Sequence, residues 1–194
     1  EIMLSVTCQR ARISEGDNVL DLGCGWGSFT LYAAEHFPKS RFTAVSNSNT
    51  QRKYIESVSK KKGLSNVKVI TADVNDLVFE DFGIQEKFDR IVSIEMFEHM
   101  RNYEKLLRKV SGFCKPQGTL FVHVFAYKGF PYFMKEKTSS GFMAKYFFTD
   151  GLMPSDDLLL HFPEHFSLVD SWRVNGRHYF KTCMAWLKNM ERNK

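Results

Sequence analysis

Two short stretches of this chain carry residues whose types and spacing could do chemistry. Ser93-Ile94-Glu95-Met96-Phe97-Glu98-His99 places two carboxylates three residues apart and an imidazole directly after the second. Histidine titrates near neutral pH, and a neighbouring carboxylate can orient it and stabilise its charged form. Glu98-His99 is therefore suited to accepting a proton. Glu95 adds a second acid, suited to holding a cation. The other stretch is Asn18-Val19-Leu20-Asp21-Leu22-Gly23-Cys24-Gly25-Trp26-Gly27-Ser28-Phe29. An apolar run carrying Asp21 leads into three glycines at alternate positions, and such a loop lets the backbone approach a ligand closely.

Both stretches need a scaffold, and the hydrophobic pattern supplies one. Residues 2–13 read as a helix, 18–22 as a strand, and 28–37 as a helix stopped by Pro38. Strands follow at 41–45, 67–71, 88–94 and 119–125. Helices fall at 50–62, capped by Ser48 or Asn49 and closed by Gly63, and at 103–114, ended by Lys115-Pro116. Such alternation predicts βαβ units and a mainly parallel sheet flanked by helices, an α/β class fold. The glycine loop then lies between the first strand and the first helix after it, where α/β folds bind nucleotide-like cofactors. Ser93–His99 lies at the carboxyl edge of strand four. Residues 126–154 break the rhythm with glycines, prolines and many aromatics. A short helix at 156–161, a strand at 167–174 and a helix at 178–189 complete the pattern.

Composition excludes several classes. The 194 residues are 43% hydrophobic and 25% charged, ordinary for one globular domain over 1–194. No apolar run reaches membrane-spanning length, so stable membrane insertion is not expected. Cys8, Cys24, Cys114 and Cys183 are far apart, which argues against a disulfide framework or a metal site and for a reducing, cytoplasmic setting. The net charge of +5 is dispersed. Its one run, Lys60-Lys61-Lys62, suits a helix C-terminus, so a nucleic-acid partner is not expected.

The loop reads GxGxG rather than the dinucleotide GxGxxG, and the second strand ends Ala44-Val45-Ser46-Asn47 with no ribose-binding acid. The GxxxxGK[ST] phosphate loop is missing as well. S-adenosylmethionine (SAM) fits better, having no phosphates to cradle. The stretch Val19–Gly27 resembles the first motif of class I SAM-dependent methyltransferases, a Rossmann-like fold, and Cys24-Gly25-Trp26-Gly27 resembles the cyclopropane fatty acid synthase family. That resemblance implies cofactor contacts from Asp21, Gly23 and Gly25. It implies further contacts from the polar turn Ser46-Asn47-Ser48-Asn49-Thr50-Gln51, with Gln51 on the ribose. Thr71-Ala72-Asp73-Val74 matches the adenine segment, with Asp73 accepting from the adenine amino group, and Ser93-Ile94 lies beside the methionine part. Taken singly, Asp73 also reads as a turn cap, Gln51 as a surface helix residue and Glu98-His99 as a helix-start pair.

Ser93-Ile94-Glu95-Met96-Phe97-Glu98-His99-Met100, Tyr146-Phe147-Phe148-Thr149 and Met153-Pro154-Ser155 most resemble a plant branch of that family, the coclaurine-type N-methyltransferases. Matching segments span nearly the whole chain. The resemblance implies methylation of a small aromatic amine, with Glu98 and His99 catalytic and Glu95, His123, Phe147 and Tyr179 around the substrate. Lipid-modifying members usually have Gly at the Glu95 position and Ile at the Phe125 position. They hold a bicarbonate base at positions matching Glu98, His123 and Tyr179. The extra carboxylate of Glu95 and the bulk of Phe125 favour an amine over an alkene; the alternative reading is an enzyme modifying unsaturated acyl chains of phospholipid, and a third is a non-catalytic SAM-fold subunit. Residues 126–154 read as a substrate lid or insertion. The chain starts inside a helical pattern without Met and is expected to be a fragment truncated at both ends. Pairing of two copies stays open.

Overall fold

The computed structural model describes residues 1–134 and 151–193. Its centre is a five-stranded sheet of order β3-β2-β1-β4-β5, parallel throughout. The strands are β1 (Asn18–Leu22), β2 (Arg41–Ser46), β3 (Val67–Thr71), β4 (Phe88–Ile94) and β5 (Cys114–His123). All five residues of β1 are buried, as a central strand covered on both faces requires. Helices α1 (Ile2–Arg10), α2 (Ser28–His36), α3 (Asn49–Lys62) and α4 (Tyr103–Phe113) flank the sheet, and α5 (Arg177–Arg192) follows near the end. Ser48 caps α3 by accepting from Gln51 N, and Gly63 closes it at φ +69°, so both predicted signals operate. Among the described residues, no helix is long and apolar enough to cross a membrane.

The chain winds outward from β1 to β3 and then crosses back to place β4 on the other side of β1. The crevice between the carboxyl ends of β1 and β4 is thus the switch point of the sheet. The glycine loop leaves β1 there, and Glu95 leaves β4. Ser93 Oγ donates to Leu22 O at 2.8 Å and stitches the two strand ends together.

The first helix ends at Arg10 rather than residue 13, β5 ends at His123 rather than residue 125, and three further readings of the sequence differ from the structure. Strand β5 begins at Cys114 rather than residue 119, because its pairing slips from Phe88↔Cys114 to Arg90↔Thr119 and so accommodates Pro116 and Gly118. Residues 167–174 form no strand: Leu168, Val169 and Val174 are exposed, and among the described residues no strand pairs with them. The short helix expected at 156–161 is one 3-10 turn, Leu158–His161. The aromatic insertion is tied at its base by β6 (Tyr132–Phe133) and β7 (Leu152–Met153), an antiparallel pair. Tyr127 N donates to Pro154 O at 2.9 Å and Met134 N to Gly151 O at 3.0 Å. Phe147, with its neighbours Tyr146 and Phe148, lies outside the described residues.

Candidate active site

The glycine loop is a strained, closely packed turn. Gly23 sits at φ +86°, and a Cβ there would lie 2.6 Å from Met96 Cγ. Gly25, at φ +53°, would point a Cβ into open space. One glycine therefore packs the loop against the β4 exit, and the other leaves bare backbone facing the crevice. Asp21 is 2% exposed and its carboxylate accepts from Thr30 Oγ1 at 2.5 Å. That bond ties the end of β1 to α2 and fixes the loop between them. Burial raises the Asp21 pKa to about 7, against the opposing effect of the Thr30 hydrogen bonds.

At the end of β2, Ser46 Oγ bonds Gln51 Oε1 and accepts from Ser48 N at 3.1 Å. This orders the polar turn, with Asn47 exposed and Gln51 half-buried beside the crevice. After β3, Asp73 is exposed, and its Oδ1 accepts from Asn75 N at 2.8 Å and Asn75 Nδ2 at 2.9 Å. The carboxylate caps the turn while lying at the carboxyl edge of the sheet. Val74 is half-buried against the core. Ser93 is fully buried, and Ile94 is half-buried at the end of β4. The cofactor candidates thus line one edge, from β1, β2, β3 and β4.

Beyond β4 the backbone turns sharply. Glu95 adopts φ +54°, one of two non-glycine residues with positive φ among those described. Such a conformation costs energy for a residue with a Cβ and clusters at functional sites. Glu95 N donates to His123 O at 2.8 Å, which fixes the exit of β4 against the end of β5. The Glu95 carboxylate lies 2.7 Å from His123 Nδ1, with each side chain about a third exposed. The pair is close but poorly aligned, so His123 Nδ1 has no hydrogen-bond partner of good geometry and the contact is electrostatic.

One 3-10 turn, Phe97–His99, follows. Phe97 is buried, and the Tyr103 hydroxyl donates to its carbonyl at 2.9 Å. Asn102 caps α4 by accepting from Lys105 N at 2.9 Å, so Glu98 and His99 are not the start of that helix. Glu98 is 1% exposed, and neither carboxylate oxygen has a hydrogen-bond partner of good geometry. Burial pushes its pKa up to about 8 against the pull of its own backbone N–H, with the charge and hydrogen bond of Glu95 adding to the rise. His99 keeps an exposed edge, yet the surrounding protein lowers its pKa by desolvation, while the Glu95 charge acts in the opposite direction.

Helix α5 brings Tyr179 to the same place. Its ring meets Phe125 edge-to-face at 4.7 Å, and its hydroxyl pKa is raised, chiefly by desolvation, then by Cys183, with Glu95 and Glu98 also contributing. The fold therefore gathers Glu95, Glu98, His99, His123 and Tyr179 from four separate elements. Sequence reasoning missed three supporting residues: Met96 against Gly23, Thr30 under Asp21, and Tyr103 holding the turn. Of these, only the hydroxyl at Thr30 within a helix start and the aromatic at Tyr103 carried any local signal. No group of acids, histidines or cysteines with metal-binding geometry exists among the described residues.

An (S)-coclaurine N-methyltransferase of Thalictrum flavum subsp. glaucum is 41% identical over 193 residues, 98% of this chain and 52% of that protein. A crystal structure of coclaurine N-methyltransferase bound to N-methylheliamine and SAH superposes with a TM-score of 0.91 at 39% identity. The match covers 99% of this chain and 56% of that one. A cyclopropane-fatty-acyl-phospholipid synthase of Escherichia coli (strain K12) is 30% identical over 185 residues, 94% of this chain and 44% of that protein. This chain thus spans about half the length of the curated relatives it matches. The architecture is the class I SAM-dependent methyltransferase fold. With the model for mycolic acid cyclopropane synthetase matching residues 2–194, the chain belongs to that family.

Proposed function

We propose that this chain carries the catalytic core of a SAM-dependent N-methyltransferase acting on the amine of a small aromatic compound of the tetrahydroisoquinoline or benzylisoquinoline type. The observation that carries the reading is the buried Glu98 carboxyl, coupled to Glu95 and next to His99, at the switch point of the sheet. The cradle suits SAM: backbone is bare at Gly25, Gly23 is packed tight, and the polar side chains of Asn47, Gln51 and Asp73 at the same sheet edge support a role on ribose and adenine. When bound, SAM supplies a methyl group on a sulfonium, open to in-line displacement by an amine lone pair.

The residues of the chain then have two tasks. The first is alignment, which supplies much of the rate in a displacement between two held reactants. Glu95 anchors the ammonium form of the amine, and Phe125 with Tyr179 forms an aromatic wall for the flat part of the molecule. The second is proton removal, because a protonated amine has no lone pair to attack with. His99, held below its ordinary pKa by burial, is neutral at pH 7 and accepts that proton. Glu98 sits next to it to stabilise the imidazolium. His123 touches the Glu95 carboxylate and keeps it directed toward the pocket.

His99→Ala and Glu98→Gln test these roles. Each variant should lose about 10²–10⁴-fold in kcat, the usual worth of positioned acid–base groups, and keep its affinity for SAM. Near wild-type turnover in both variants would remove the assignment.

A further inference from the structure

Glu98 sits in an unusual electrostatic position. It is almost completely buried, neither of its oxygens meets a donor in good geometry, and the side chain acting most on it, through charge and a carboxyl–carboxyl hydrogen bond, is Glu95, of its own sign. The groups facing it come from every side. His99 lies on its own turn, Glu95 at the end of β4 and His123 at the end of β5. From α4 comes the Tyr103 hydroxyl, which donates to Phe97 O; Tyr179 comes from α5. Both tyrosines are raised above their ordinary pKa and stay neutral, and burial pushes His99 toward its neutral form. A carboxylate at Glu98 would be a buried negative charge beside that of partly exposed Glu95, which these groups do little to offset and burial penalises.

We propose that the pocket takes up its organic cation in exchange for a proton: an ammonium ion entering between Glu95 and Glu98 drives the proton of the Glu98 carboxyl out to water. Uptake is then electroneutral, and the cation itself creates the charged partner that His99 needs. The inference rests on the amine reading above and adds how the pocket receives the amine. It also means that a permanently charged ammonium binds as well as a protonated one, so a quaternised product competes with substrate.

Two consequences follow by linkage. With its pKa raised to about 8, Glu98 is mostly protonated at pH 7, so most of a proton leaves per cation bound. Affinity for a fixed-charge cation then rises about tenfold per pH unit below pH 8 and levels off above it.

The probe is N,N-dimethyl-1,2,3,4-tetrahydroisoquinolinium, which has no ionisable proton, so any proton released comes from the protein. Calorimetric titrations at pH 7 in three buffers of different ionisation enthalpy count that proton. The expected result is most of one proton released at pH 7 and little at pH 9, with Kd falling by up to about tenfold from pH 6 to 7. Glu98→Gln should abolish the release and weaken binding. Glu95→Gln should shift the release to lower pH. Binding with no proton release and a pH-independent Kd overturns the exchange and leaves the amine reading standing. Release that persists in Glu98→Gln overturns the assignment to Glu98. No binding of the cation at any pH overturns both the exchange and the amine reading.

Discussion

Glu95 offers a perturbation in which stability and function should move in opposite directions. It holds φ +54° at the exit of β4, with its N–H committed to His123 O at 2.8 Å. An L residue in the left-handed region costs about 1–2 kcal/mol that glycine escapes. Glycine gives back about 0.4–1 kcal/mol through its freedom in the unfolded chain. Glu95→Gly should therefore be about 0.5–1 kcal/mol more stable than Glu95→Ala, although both remove the same carboxylate. In a chain of this size that difference is about 1–4 °C in Tm. Neither variant keeps the anchor for an ammonium ion, and a hydrogen bond to a charged group is worth about 1.5–3 kcal/mol. Both should thus raise KM for the amine by about 10–100-fold and leave SAM affinity unchanged. Thermal melts of the three proteins side by side, with amine kinetics on each, make the comparison. Equal melting of the glycine and alanine variants would refute the strain argument, and a Glu95→Gly protein with wild-type KM would refute the anchoring argument.

Stability should fall as pH rises through the neutral range. Asp21 and Glu98 are raised by burial to about 7 and about 8, so the folded chain holds protons that the unfolded chain has lost. The folded state then binds more protons between about pH 4 and pH 8, and that contribution is lost as pH climbs through the window. A urea midpoint higher at pH 5.5 than at pH 8.5, with the slope reduced in Glu98→Gln, is expected; a midpoint that climbs instead would contradict it. Gly23→Ala places a Cβ 2.6 Å from Met96 Cγ at φ +86° and should cost about 1–3 kcal/mol together with most SAM affinity. Gly63→Ala, also left-handed but facing open space, should cost only about 1 kcal/mol and spare SAM binding. Equal effects on SAM affinity from the two would mean that loop packing at Gly23 is not what shapes the cradle.

Local signals made much of the scaffold legible. The bounds of β1, β3 and β4 coincide with apolar runs between turn residues, and Gly63 ends α3 where its left-handed conformation is needed. Residues 167–174 show where such signals stop. Their branched and apolar side chains suit a strand, but a strand exists only when another strand shares its hydrogen bonds, and among the described residues none does. The early start of β5 was hidden because Pro116 and Gly118 look like a boundary, whereas the register slip after Phe88 accommodates them. At the site, residue types revealed the acids and the histidine. They could not reveal that Asn102 alone caps α4, which frees Glu98 to turn inward, nor that Glu95 is left-handed. Those facts depend on contacts with Lys105 and His123.

The most direct test incubates the protein with SAM labelled at the methyl group and a panel of 1,2,3,4-tetrahydroisoquinolines, simple arylethylamines and unsaturated phospholipid vesicles. The proposed function predicts label on the ring nitrogen of the tetrahydroisoquinolines, lost in His99→Ala and Glu98→Gln. Label entering only the phospholipid acyl chains would contradict it.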